Sequence, residues 1–248
     1  IDLAAMTAEL LCAAGLVAVH LFASNLRFLE GDRRSPWLSA AGGISIAYVF
    51  VDAFPGLAEA QTALGRAFGQ LPFAERHAYL IALVGLLTFY GLEMIVSRSQ
   101  RARAVAREHH ETTTAMGVFW LHMASFAVYN ALVGYLLVRS DSQGLRALLF
   151  YFVAMAVHFA LNDHALRADH RDTYLRVGRW LLAAAIPFGW GIGLTTEVSQ
   201  AATSVLTAFL GGGVVMNVMK EELPNHGAAA FLPFPAGAIV YPVVLVAP

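Results

Sequence analysis

His122 and His158 stand in two separate apolar stretches of the chain, and imidazole is a ready ligand for Zn²⁺ and its neighbours in the transition series. Asn162 follows His158 by four residues, so its amide falls one helical turn along the same face. Asp163 is one residue further, an offset that turns it partly away while leaving it near enough to add an oxygen. Glu93 sits in a third apolar stretch. A carboxylate inside a membrane is costly unless it is paired, hydrated or metal-bound, so Glu93 and Asp163 both need partners. His122, His158, Asn162, Asp163 and Glu93 together could hold a divalent cation. The plainer reading is that the histidines hydrogen-bond across helices, that Glu93 pairs with an arginine at the membrane edge, and that Asp163 with His164 begins a loop. His20, alone on an apolar stretch, reads as a satisfied packing residue or as support for ligands.

A second constellation repeats. Gly42-Gly43 precede Asp52 and Pro55, and Gly211-Gly212 precede Glu221 and Pro224 at the same offsets, 169 residues on. Asp52, Asn217, Glu221 and Glu222 are therefore candidates for a pathway or gate, since carboxylates at opposite mouths attract cations toward a central site. Local caps at helix ends are the competing reading, because Glu221 and Glu222 adjoin Lys220. His109-His110-Glu111 reads as a solvated loop patch.

These residues must be positioned by membrane helices. The 248-residue chain is 58% hydrophobic and 13% charged, with mean hydropathy +0.61, too apolar to cover a soluble globule. Apolar runs recur throughout, so neither a signal peptide nor one anchor explains them. The numbering starts at Ile1 without Met, which points to processing or trimming. Cys12 is the only cysteine, which excludes intramolecular disulfides, cysteine-cluster metal sites and c-type haem attachment. The net charge of -1 and scattered arginines give no nucleic-acid footprint.

Eight spans are expected, at about 4–24, 38–58, 77–96, 115–138, 145–165, 174–195, 198–220 and 227–246, each long enough for a hydrocarbon core of about 30 Å. The segment 59–76 reads most simply as a loop, with a short interfacial helix as the other reading. Arg27, Arg33, Arg34, Arg98, Arg101, Arg103, Arg107, Arg167, Arg171, Arg176, Arg179 and Lys220 fall on one side; only Arg66, Arg76, Arg139 and Arg146 fall on the other. The positive-inside rule puts the first group in the cytoplasm and both termini outside. Span 2 then runs outward and span 7 inward, so the Gly-Gly match implies an inverted repeat. The expected fold is all-α, one polytopic domain of eight transmembrane helices in a 3+2+3 arrangement: 1–96 as the first repeat, 115–165 as a central pair, 174–248 as the second repeat. By the same span counting, His122 and His158 come to one depth, roughly 10 Å from the cytoplasmic side.

At this level the chain resembles the ZIP (Zrt/Irt-like protein) family of divalent-metal transporters, over nearly its whole length. The family's span-4 motif corresponds to His122-Met123-Ala124-Ser125-Phe126 and its span-5 motif to His158-Phe159-Ala160-Leu161-Asn162, of which only the two histidines and Asn162 carry over. Asp52-Ala53-Phe54-Pro55 and Glu221-Glu222-Leu223-Pro224 resemble the polar, proline-ended regions of spans 2 and 7. The resemblance implies inward transport of Zn or another divalent transition metal by alternating or elevator-like access, in a bacterial inner membrane, with the bilayer as partner and room for a homodimer. The missing motif carboxylates keep two rivals open: a membrane-embedded metalloenzyme and a nontransporting metal sensor or scaffold.

Overall fold

The computed structural model describes residues 3–22, 36–69, 76–108, 115–139, 144–196, 198–219 and 232–246. Every regular element in them is helical: α1 (Leu3–Phe22), α2 (Pro36–Tyr48), α3 (Phe54–Phe68), α4 (His77–Glu108), α5 (Ala115–Arg139), α6 (Gly144–Thr173), α7 (Arg179–Thr195), α8 (Gln200–Asn217) and α9 (Pro233–Val246). Six helices among the described residues are long and apolar enough to cross a membrane: Leu3–Phe22, Ser39–Phe68, His77–Ile95, Phe119–Val138, Gly144–His164 and Tyr174–Thr195. Two shorter ones, α8 of 18 residues and α9 of 14, pack against α4 and α2. The chain is a polytopic, all-α membrane protein. Its outward face is apolar accordingly: Leu83, Val84 and Leu87 on α4 are about half exposed or more, as contact with lipid requires.

Two expectations need correction. Residues 59–68 are not a loop, because α3 continues the second span through a π-helical turn at Val49–Ala53. In that turn the Phe54 N–H reaches back to the Val49 carbonyl, and Pro55 then sits at the start of a new helix, where its missing N–H costs nothing. Leu57, Ala60 and Leu64 form one buried stripe against α4 and α8, and the Gln61 side chain accepts the Ala78 N–H at the head of α4. The arginine-rich stretch after span 3 is likewise helical as far as Glu108, consistent with the helix propensity of its Arg, Ala and Gln residues.

The helices fall into two groups. α1, α5, α6 and α7 pack chiefly on one another; α2, α3, α4, α8 and α9 make the other set, and the two meet where α2 touches α6 and where α4 and α8 touch α5. Within the second group the closest approaches are made by glycine. A methyl at Gly43 would collide with the Phe234 carbonyl of α9, and one at Gly237 with the Ala40 carbonyl of α2; a methyl at Gly212 would collide with the Ala82 carbonyl of α4, and one at Gly85 with the Phe209 carbonyl of α8. Backbones this close gain dispersion contact along their whole crossing, the means by which helices associate where lipid removes the hydrophobic drive. Gly134 and Gly189 make the equivalent close contacts between α5 and α7.

The fifth and sixth spans are joined without leaving helical assignment, through a second π-helical turn at Tyr174–Gly178.

Candidate functional site

α1, α5 and α6 bring their polar residues to one buried centre. His20 Nδ1 lies 3.0 and 2.9 Å from the two carboxylate oxygens of Asp163, and His20 Nε2 lies 3.1 Å from Asn130 Oδ1. The Asn130 amide orientation is set by its own helix, because Nδ2 donates to the Phe126 carbonyl at 2.9 Å. Reversing the amide would put two oxygens in contact. Asn130 must then present an acceptor to Nε2, so that nitrogen carries a proton, and a second proton is shared between Nδ1 and the Asp163 carboxyl. His20 and Asp163 are each about 1% exposed. Polar groups so far from water persist only when they satisfy one another, and this pair is further held by Phe159, stacked on His20 at 4.7 Å between ring centroids.

His158 and Asn162 form the adjoining step. Their side chains meet at 3.3 Å between Nε2 and Nδ2, both residues are buried, and Tyr129 of α5 covers the imidazole at 5.8 Å. An imidazole nitrogen beside an amide oxygen, reached by turning the Asn162 amide over, offers two neutral donors to a cation. His122 belongs to α5, two turns before Tyr129, and its side chain lies outside the described residues. Asp163 is turned to His20 and not to His158, so its negative charge is committed inside the cluster. Glu93, on α4, is partly buried and accepts a hydrogen bond from Ser97 at 3.2 Å. Among the described residues no group of three or more His, Cys, Asp and Glu side chains is arranged to hold a metal ion.

Between the two helix groups lies a chamber of about 480 Å³. Asp52 from the π-helical turn and Glu59 from α3 line one wall, Thr203, Ser204 and Thr207 of α8 another, and Tyr129 of α5 with Met155 of α6 reach it from the other group. Tyr241 of α9 donates to Asp52 Oδ2 at 2.8 Å. Met155 is one turn before His158 on α6, while His158 and Asn162 themselves are buried and are not among the residues that line the chamber. Sequence reasoning missed Glu59. The signal was its spacing of seven residues from Asp52, informative only once 59–68 is recognised as helix. Asn217 is 8% exposed at the end of α8, with Nδ2 unpartnered among the described residues. Glu221 and Glu222, like His109-His110-Glu111, lie outside the described residues.

No protein-family model matches this chain, and no curated protein matches it either. The class that fold and site define is a polytopic helical membrane protein with a carboxylate-lined chamber between two helix groups and a buried His-Asp-Asn cluster beside it.

Proposed function

We propose that this protein is a transporter carrying a divalent metal cation, Zn²⁺ or a related transition metal, along a route between its two helix groups. The chamber is the observation that carries the reading. It opens at the junction of the groups, it has carboxylates on its wall, and Met155, on its α6 side, precedes the buried His158 by one helical turn. Relative movement of the groups would change which side of the membrane that step faces, the alternating access expected of repeat-built transporters.

An inverted repeat is supported by two pairs of helix contacts that correspond to each other. Adding 169 to a residue of α2 and 152 to a residue of α4 gives its counterpart in α8 and α9. Under that mapping the Gly43–Phe234 contact becomes Gly212–Ala82, and Gly237–Ala40 becomes Gly85–Phe209. The π-helical turn that begins at Val49 maps onto Val218, where α8 also turns π-helical. Eight spans, both termini outside and a 3+2+3 order complete this reading. In it, Asp52 and Glu59 attract the cation, His158 and Asn162 bind it after dehydration, with His122 of the facing helix as a further ligand. Asn217, Glu221 and Glu222 lie on the way out. Asp163 contributes charge only when its pair with His20 opens, and Glu93 is the remaining carboxylate of the inner half.

The test is a plug. A Cβ at Gly56 meets nothing within 4 Å, and Gly56 lines the chamber, so Gly56→Trp places bulk in the route from a position with room for the first atom of its side chain. Purified protein in liposomes should take up Zn²⁺, and the variant should do so at least tenfold more slowly with unchanged melting temperature. Undiminished uptake in Gly56→Trp would reject the chamber as the route.

A further inference from the structure

The sixth span begins with two arginines where apolar residues are the rule. Arg176 and Arg179 lie about 3 and about 8 Å of helical rise inside the end of the helix Tyr174–Thr195. That is the depth at which headgroups give way to acyl chains, and a guanidinium there needs a counter-charge or a path to water. Arg176 is exposed. Among the described residues neither arginine makes an ion pair: both oxygens of Asp163 face His20, and Asp172, one turn before Arg176, is exposed and pairs with neither.

Arg179 is the more demanding of the two. Its Nε is buried and has no hydrogen-bond acceptor among the described residues. A buried donor without an acceptor is uncommon, and this one belongs to a group that stays charged at any ordinary pH. The packing around it is tight. A Cβ at Gly178 would lie 3.0 Å from Met123 Sδ of α5, and the Arg179 guanidinium carbon rests 5.3 Å from the centroid of the Trp180 ring, close enough for a cation–π contact. The missing partner is a negatively charged acceptor, and a planar guanidinium matches two oxygens of a phosphate. Val177, Trp180, Leu181 and Phe188 are exposed at offsets of three, four and eleven residues, one apolar stripe that runs from the arginines along the lipid-facing side of α7. Trp180 is one turn beyond Arg176, in the place a tryptophan takes at a membrane interface.

We propose that Arg176 and Arg179 form a binding site for the phosphate of an anionic phospholipid, with Trp180 at the level of the headgroup and the acyl chains lying along Val177, Leu181 and Phe188. The phosphate supplies the acceptor that Arg179 Nε lacks and the charge that balances both arginines. Basic sites of this kind at the arginine-rich face of a membrane protein select anionic headgroups. None of these residues lines the chamber, so the site stands whether or not the protein transports.

Native mass spectrometry of the full chain in detergent, titrated with phosphatidylglycerol or with phosphatidylcholine of the same acyl chains, tests it. Wild type should bind phosphatidylglycerol about tenfold more tightly, and Arg176→Gln and Arg179→Gln should each lower that preference about fivefold. The double variant should show none. Arg179→Lys should recover only part of it, because an ammonium lacks the paired donors. Arg176 is exposed, so its variant tests the site without risk to the fold, and Arg98→Gln, at an exposed arginine of α4, should leave the preference as it is. Equal affinity of wild type for the two lipids would overturn the proposal, as would an equal loss in Arg98→Gln and Arg176→Gln, the mark of diffuse surface charge. Displacement of the lipid by equimolar glycerol phosphate would overturn it too, since the site would then take a free phosphate and have no use for acyl chains.

Discussion

His20 and Asp163, 143 residues apart in the chain, form a buried ion pair in which one ring nitrogen meets both carboxylate oxygens at 2.9–3.0 Å. Asn130 holds the other nitrogen, so α1, α5 and α6 are tied at one point by a net-neutral unit.

Removing one member of this unit strands the other's charge. His20→Leu and Asp163→Leu should each lower stability in detergent by about 3–5 kcal/mol, whereas the double change His20→Leu, Asp163→Leu should recover much of that loss. Thermal unfolding of the four proteins completes the cycle. Additive losses would mean that the pair is not coupled as the geometry requires.

Gly43 and Gly212 meet carbonyls in contacts that correspond under the repeat. Gly43→Ala and Gly212→Ala should each cost about 1–3 kcal/mol, because two helices must separate to admit one methyl. Gly91, in the same membrane region with nothing within 4 Å of an added Cβ, is the control: Gly91→Ala should be neutral or gain up to about 1 kcal/mol. Unequal behaviour of Gly43 and Gly212, one tolerant and the other not, would count against their equivalence.

Tyr241→Phe removes the hydrogen bond to Asp52 and little else. A stability loss of about 1 kcal/mol is expected. Thermal unfolding in detergent measures it, and an unchanged melting temperature would show that this bond contributes nothing to the packing of α9 on α2.

Orientation is open to labelling. With the buried Cys12 replaced by Ala, single cysteines can be placed at the exposed Arg98 and Thr195 positions. Both positions stand at the C-terminal side of a span, His77–Ile95 and Tyr174–Thr195, and the arginine distribution, which runs these spans in opposite directions, predicts that a membrane-impermeant maleimide reaches Thr195→Cys from outside and Arg98→Cys only after the membrane is opened. The reverse pattern would invert the topology.

Hydropathy made the apolar helices legible, because twenty residues of low polarity have few alternatives in a bilayer. The Gly-Gly spacing carried tertiary information for the same kind of reason: Gly43 and Gly212 lie where backbones touch, and nothing larger fits. The π-helical turn at Val49–Ala53 was not legible. Pro55 read as a span end, since its conflict with an α-helix is local, whereas the extra residue that resolves it leaves no mark in composition. His20 with Asp163 was hidden by distance along the chain. The five-residue offset of Asp163 from His158 says only that the carboxylate turns elsewhere, and its destination on α1 depends on how three helices pack.

Zn²⁺ uptake by liposomes containing wild-type protein or His158→Ala, at matched protein density, tests the central claim most directly. The account predicts saturable uptake by wild type and at least a tenfold lower rate in His158→Ala, with both proteins equally folded. Equal rates, or no uptake by wild type at all, would contradict it.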